Sequence, residues 1–174
     1  WRLLGGYLGL NGEGRAELGA PGDDFHRVVV GGGWVGRTGR VSAPWTTRIF
    51  AEYGHGRRLS GWQAFRLGLG RGLRTLDYDG MAGDRLIRWN VEHGKVAPFE
   101  LFGLFRVGAA AFYGGGLAHF ADEARTLADA RHEAGIGLRF GPTRSSSSAI
   151  TRLDATWDLD GGGPVLTAVT RGFF

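Results

Sequence analysis

Arg74 stands in a glycine-rich stretch, GRGLRTLDYDGMAGD, which leads into the alternating run RLIRWNVEH. In that run Arg88, Asn90 and Glu92 share one face, and Ile87, Trp89 and Val91 share the other. A second run, AITRLDATWDL at 149–159, sets Arg152, Asp154, Thr156 and Asp158 against Leu153, Ala155, Trp157 and Leu159. Arginines and carboxylates placed this way offer ion-pair chemistry, because the planar guanidinium fork holds a carboxylate through two hydrogen bonds. Bond-making chemistry finds little support. Gly31, Gly33 and Gly36 match G-x-G-x-x-G after an apolar VVV. A dinucleotide site needs a helix to begin there, since the pyrophosphate sits on the helix N-terminus. The next residues are RTGRVSAPW, with Pro44 and no helical period. His26, His55, His93, His119 and His132 show no metal-ligand spacing such as H-E-x-x-H. His132 and Glu133 are adjacent, so a strand would point them apart. Ser145 to Ser148 read as a polar turn, Asp122 and Glu123 as solvated loop acids. Neither G-x-S-x-G nor a P-loop occurs. The sequence therefore assigns no catalytic residue, no cofactor and no metal.

The groups that remain must be positioned by strands. The chain has 174 residues, 33 Gly, 5 Pro and no Cys, which fits one domain without disulfides or thiolate metal sites. No apolar run approaches the roughly 18 residues of a membrane helix. The net charge of +4 comes from arginine, Lys95 being the lone lysine. The arginines are scattered singly, which reads as solvated charge and not as a nucleic-acid face. The sequence begins with Trp1 and carries no signal-peptide pattern, and it is expected to be a segment of something longer.

Helical periods are scarce and glycine interrupts nearly every window. Strands are expected over 1–10, 25–35, 46–54, 61–70, 85–93, 99–113, 134–141, 149–159 and 165–174. Most have about the 9–11 residues that a tilted strand needs to cross a bilayer, where soluble strands average nearer 5–6. Charges of both signs recur mid-strand on one face: Arg48 and Glu52 oppose Thr47, Ile49, Ala51 and Tyr53. A membrane barrel alternates in this way between lipid and a polar lumen. A soluble β-sandwich alternates between core and water. The alternation serves both readings. Loop lengths help to separate them, because bacterial barrels have short periplasmic turns and longer outer loops. With the chain end in the periplasm, 71–84 and 114–133 become long outer loops, and 55–60 and 94–98 short inner turns. The short outer joint 160–164 and the long inner joint 11–24 are exceptions. ADEARTLADARHEA within 114–133 has the composition of a small helix.

The chain stops at Phe173-Phe174 after an alternating strand. A terminal aromatic on a last strand is similar to the sorting signal read by the outer-membrane assembly machinery. From about Gly54 to Phe174 the order of features resembles the BamA/TamA/FhaC-type outer-membrane barrels, the bacterial surface antigen family. That family has a long loop bearing Val/Leu-Arg-Gly-Phe/Tyr, then a Gly-Asp/Asn pair, then a strand ending in Glu. Here Leu73-Arg74-Thr75-Leu76 occupies the loop position, followed by Gly83-Asp84 and by Glu92. FELFGLFRVGAAAFY, a long loop, Gly135-x-Gly137-Leu138-Arg139 and TRLDATWDL come next in the family's order. Thr75 replaces the family's loop glycine and Leu76 its aromatic. Phe105-Arg106-Val107-Gly108 lacks the aspartate of the family's Phe-x-Asp-x-Gly. These departures bear on the loop's mechanism more than on the fold.

The resemblance implies an all-β fold, an antiparallel up-and-down transmembrane β-barrel, of which residues 1–174 form the C-terminal portion with about nine strands. The whole barrel would have about sixteen strands, even-numbered as single-chain bacterial barrels are. Its first strands and the periplasmic repeat domains would lie outside this segment. The resemblance further implies that the loop folds into the lumen and that Arg74 meets a wall acid, with Glu92 and Asp154 as candidates. Trp45 and Trp62 fall near strand starts, where interfacial aromatic girdles sit. Trp89 and Trp157 would touch lipid, or fill a core in a soluble fold. The implied location is the bacterial outer membrane. The implied partners are outer-membrane lipid, the barrel-assembly machinery and substrate proteins, with no nucleic acid. The implied function is insertion or export of substrate proteins without covalent chemistry. A passive pore or the barrel anchor of a fused surface protein is one alternative, and a soluble β-sandwich binding module is another.

Overall fold

Long alternating runs, with branched and aromatic residues at the apolar positions, favour extended strands and one continuous sheet. The computed structural model describes residues 2–3, 6–18, 25–40, 43–77, 79–143 and 150–171. Its strands are β1 (Arg2–Leu3), β2 (Gly6–Leu18), β3 (His26–Arg40), β4 (Ala43–Arg57), β5 (Phe65–Leu67), β6 (Met81–Gly83), β7 (Arg85–Leu101), β8 (Phe105–His119), β9 (Arg131–Pro142), β10 (Ile150–Asp158) and β11 (Pro164–Arg171). All but β5 and β6 form one sheet in the order β1-β2-β3-β4-β7-β8-β9-β10-β11, and every pair is antiparallel. The fold is all-β and meandering. The sheet is open among the described residues, because β1 pairs only with β2 and β11 only with β10.

Several expected boundaries move. The expected strand 61–70 is not part of the wall. Only Phe65–Leu67 is extended there, and it pairs with Met81–Gly83 as a small hairpin inside the long connection between β4 and β7. Its apolar residues face a local cluster, so its alternation resembles that of a wall strand. The expected strand 99–113 is cut by a turn at 102–104, where Phe102 and Gly103 take positive φ angles of 53° and 63°. Apolar residues on both sides of that turn hid it. The expected turn 94–98 is instead interior to β7, and β4 runs through the expected turn 55–60 as far as Arg57. Within 114–133, β8 continues to His119. The helix-like stretch yields a single 3₁₀ turn, Leu127–Asp129, capped reciprocally by Thr126 and Asp129. β2 runs through most of the joint expected at 11–24.

These shifts make the loop pattern more regular. At one end of the sheet lie the connections 19–25, 58–84, 120–130 and 159–163. At the other lie 41–42, 102–104 and 143–149, and β11 runs towards that end. The two longest connections, 58–84 and 120–130, thus share one end, although 159–163 at that end is shorter than 143–149 at the other. Phe173 and Phe174, and the serine run 145–148, lie outside the described residues.

The hydrophobic core is where the long connection folds onto the wall. Phe65, Leu67 and Leu73 from the connection meet Leu86 of β7 and Ala118 of β8, with Val29, Leu59, Leu76 and Met81 around them. The wall is thinned to admit them: a Cβ on Gly54 would sit 2.8 Å from the Phe65 ring, and one on Gly116 2.8 Å from Leu67 Cδ2.

Candidate functional site

Cross-strand register sorts the wall into two faces. Glu92 stands opposite Arg48 on β4 and Phe112 on β8, Phe112 opposite Gly135 on β9, and Gly137 opposite Asp154 on β10. Arg48, Glu52, Arg88, Glu92, Phe112, Glu133, Arg139, Arg152 and Asp154 therefore share the face that the long connection covers, the inner face of the wall. Glycine and alanine fill many positions between them, leaving room for long side chains over the sheet.

Arg74 sits above this face, in the connection, at the point fixed by buried Leu73. Its Nη1 donates to Glu133 Oε1 at 2.8 Å, and its Nε lies 3.1 Å from Asp154 Oδ2. Its guanidinium lies over the Phe112 ring, 4.0 Å from the centroid, in a cation–π contact with the wall. Glu133 has no exposed surface and takes further donors from the same segment: the Arg74 N–H at 2.6 Å, the Thr75 N–H at 3.1 Å and the Thr75 hydroxyl at 3.3 Å. One carboxylate thus clamps both the side chain and the main chain of the loop. A buried carboxylate is tolerated when its lone pairs are filled by donors in this way.

Around this clamp runs a second layer of ion pairs. Glu92 accepts from Arg48 at 2.9 Å, from Arg139 at 2.7 Å and from Arg152. Arg139 also pairs with Asp154, so Asp154 joins the Arg74 clamp to the Glu92 cluster. Arg88 pairs with Glu52 at 2.9 Å and reaches the Arg71 carbonyl at 3.3 Å, tying the wall to the connection a second time. Arg66 of β5 pairs with Asp79 within the connection itself. The network contains most of the arginines and acids that the alternating runs set on one face, Asp158 excepted, and it holds a loop.

The residues singled out from the sequence divide between core, clamp and wall. Leu73 is in the core and Arg74 is in the clamp, where it meets Asp154. Glu92 is not its partner, being held instead by Arg48, Arg139 and Arg152. Gly83 lies against the His119 main chain, where any side chain would collide. Asp84 sits 3.3 Å from Arg85 Nη1 at the start of β7. Sequence reasoning missed Glu133 as a site residue, although its parity with Gly135, Gly137 and Arg139 marks it as inward. Thr75, a departure from the family pattern, adds a hydroxyl donor to the clamp. Gly31, Gly33 and Gly36 lie mid-strand in β3, paired with β4, and the next element among the described residues is β4. Among the described residues no cluster of His, Asp or Glu is arranged to hold a metal.

The opposite face is apolar. Val28, Val30, Ile49, Tyr53, Trp89, Val91, Tyr113, Ile136, Leu138, Leu153, Trp157 and Leu166 share it by register. Ile136 is 59% exposed and Leu166 82%. Trp62, expected at a strand start, lies in the long connection and is 79% exposed. No protein-family model matches the chain, and no curated protein matches it.

Proposed function

We propose that the chain forms part of an outer-membrane β-barrel, with lipid against its apolar face and the connection 58–84 folded into the lumen, in a protein that inserts or exports other proteins. The segregation of the two faces carries the reading. Soluble proteins rarely expose contiguous apolar patches beyond a few hundred Å², and a β-sandwich would bury such a face under a second sheet. Here the elements outside the wall, β5 and β6, pack on the charged face. In a barrel the same arrangement is stable, because lipid covers the apolar side and backbone groups pair between strands.

The placement of the two longest connections, 58–84 and 120–130, at one end of the sheet supports the same reading, as barrels carry their longer loops on one side. Membership of the BamA/TamA/FhaC-type barrels rests on the order of motifs between Gly54 and Phe174. The ionic clamp provides a mechanism without covalent chemistry: releasing Arg74 from Glu133 and Asp154 would free the connection and open a path past the inner wall. A passive barrel or surface-protein anchor is the second reading, favoured by how firmly the clamp is filled.

Fractionation of the full-length protein, then gel mobility with and without boiling, tests the barrel. The expected outcome is a heat-modifiable band in the outer-membrane fraction. A soluble protein of single mobility would remove the reading. Arg74→Ala in the full-length protein tests the clamp's role: lost assembly or secretion with the folded band retained favours the translocase over the passive barrel, and unchanged transport counts against a role for Arg74.

A further inference from the structure

From β3 to β11 the apolar face carries no carboxylate among the described residues. His26, His55, Arg57, Arg85 and His119 lie on that face at the long-loop end, and Arg40, His93 and Lys95 at the short-turn end. Cations at both margins of an apolar band face the two layers where lipid phosphates sit.

The short-turn margin holds a built group. Lys95 Nζ lies 5.1 Å from the centre of the Trp45 ring, and His93 stacks on Trp45 with centroids 5.0 Å apart and planes 9° from parallel. Thr47 Oγ1 is 2.8 Å from His93 Nδ1. Either atom can donate in this contact, and in the tautomer with the proton on Nε2 the threonine hydroxyl donates to Nδ1 and the Nε2–H is left for another acceptor. Lys95 stands between Trp45 on β4 and Ala109 on β8 and has no carboxylate within ion-pair distance among the described residues. Lys95 is exposed, so its ammonium is open to an anion from outside, and its long stem lets it reach the polar boundary while the indole anchors there.

We infer that Lys95, His93 and Trp45 bind the phosphate of a phospholipid headgroup in the leaflet at the short-turn end. Lys95 supplies the charge. His93 Nε2 donates a second hydrogen bond. Trp45 packs on the glycerol and upper acyl region beside them. This inference rests on the membrane-barrel reading.

The test uses the full-length protein in detergent micelles doped with phosphatidylglycerol, with bound lipid counted by native mass spectrometry. The wild type should retain the lipid and Lys95→Gln should retain it about fivefold less well, the change expected for one interfacial cation. Lys95→Arg should restore retention. Inorganic phosphate at millimolar concentration should not displace the lipid. Equal retention by Lys95→Gln overturns the site, and full displacement by inorganic phosphate overturns the lipid as its ligand. The same samples are run with and without boiling. Heat-modifiable wild type and variant with equal retention remove the site alone, whereas a wild type that is not heat-modifiable removes the membrane reading and the site with it.

Discussion

Glu133 decides the loop position at the level of single atoms. Its four donors all come from Arg74 and Thr75, and two of them are main-chain N–H groups that no substitution of those side chains removes. Arg74→Ala therefore leaves the carboxylate partly satisfied. Its expected cost is about 1.5–3 kcal/mol, that of a charge-assisted hydrogen bond, and less than the about 3–5 kcal/mol for stranding a buried charge. Glu133→Ala should destabilise more, because it strips the loop main chain of its acceptor as well. The midpoint of the heat-modifiability transition reads both. The double variant should fall short of the sum of the singles, since the two residues form one contact. Gly137 makes a second prediction at this scale. A Cβ there would collide with the Asp154 carboxylate and the Arg139 guanidinium. Gly137→Ala should weaken the same transition although it adds only a methyl group, and equal midpoints would show that the pair has room to shift.

At the scale of elements, three devices hold the connection 58–84 on the wall, where the proposed barrel would use it as a plug: the apolar cluster, the Glu133 clamp and the Arg88–Arg71 tie. Leu67 is wholly buried and Leu73 nearly so. Leu67→Ala should cost about 2–5 kcal/mol, the range for truncating a core leucine. Leu73→Asp buries a charge in that cluster and should eject the connection while the wall stays paired. Planar-bilayer recording checks this: conductance should rise in Leu73→Asp and stay low in the wild type. Limited proteolysis of the same sample should cut near the glycine-rich segment 68–72. An uncut loop with unchanged conductance would mean that it is not a plug.

At the scale of the whole molecule, the wall has one charged and one apolar face, which the proposed barrel would turn to lumen and lipid. A charge on the apolar face of a membrane barrel costs about 2–4 kcal/mol near the bilayer middle. Ile136→Arg, in the centre of β9, should therefore lower the fraction folded in lipid vesicles. Arg106→Gln, near a rim and 68% exposed by side chain, should leave it unchanged. If Ile136→Arg folds as well as the wild type, that face does not meet lipid. The open edges at β1 and β11 make strong structural demands in any setting, because unpaired strand edges template further pairing.

Alternation is local, and it is readable without coordinates. Arg88, Asn90 and Glu92 share a face, as do Arg152 and Asp154, because side chains alternate with period two whatever the strand pairs with. The all-β class and the inward and outward sets derive from that one property. What the chain pairs with at long range is not local. Phe65-Arg66-Leu67 alternates like a wall strand but packs inside the connection, because Gly54 and Gly116 leave space that only the folded sheet brings together. The break at Gly103 is hidden in the sequence because Phe102 and Leu104 continue the apolar run across the turn. The partner of Arg74 lies beyond sequence for the same reason. Glu133, Asp154 and Glu92 all stand on the inner face, and only the register of β8, β9 and β10, together with the depth at which Leu73 seats the loop, places Glu133 and Asp154 within reach and gives Glu92 to other arginines.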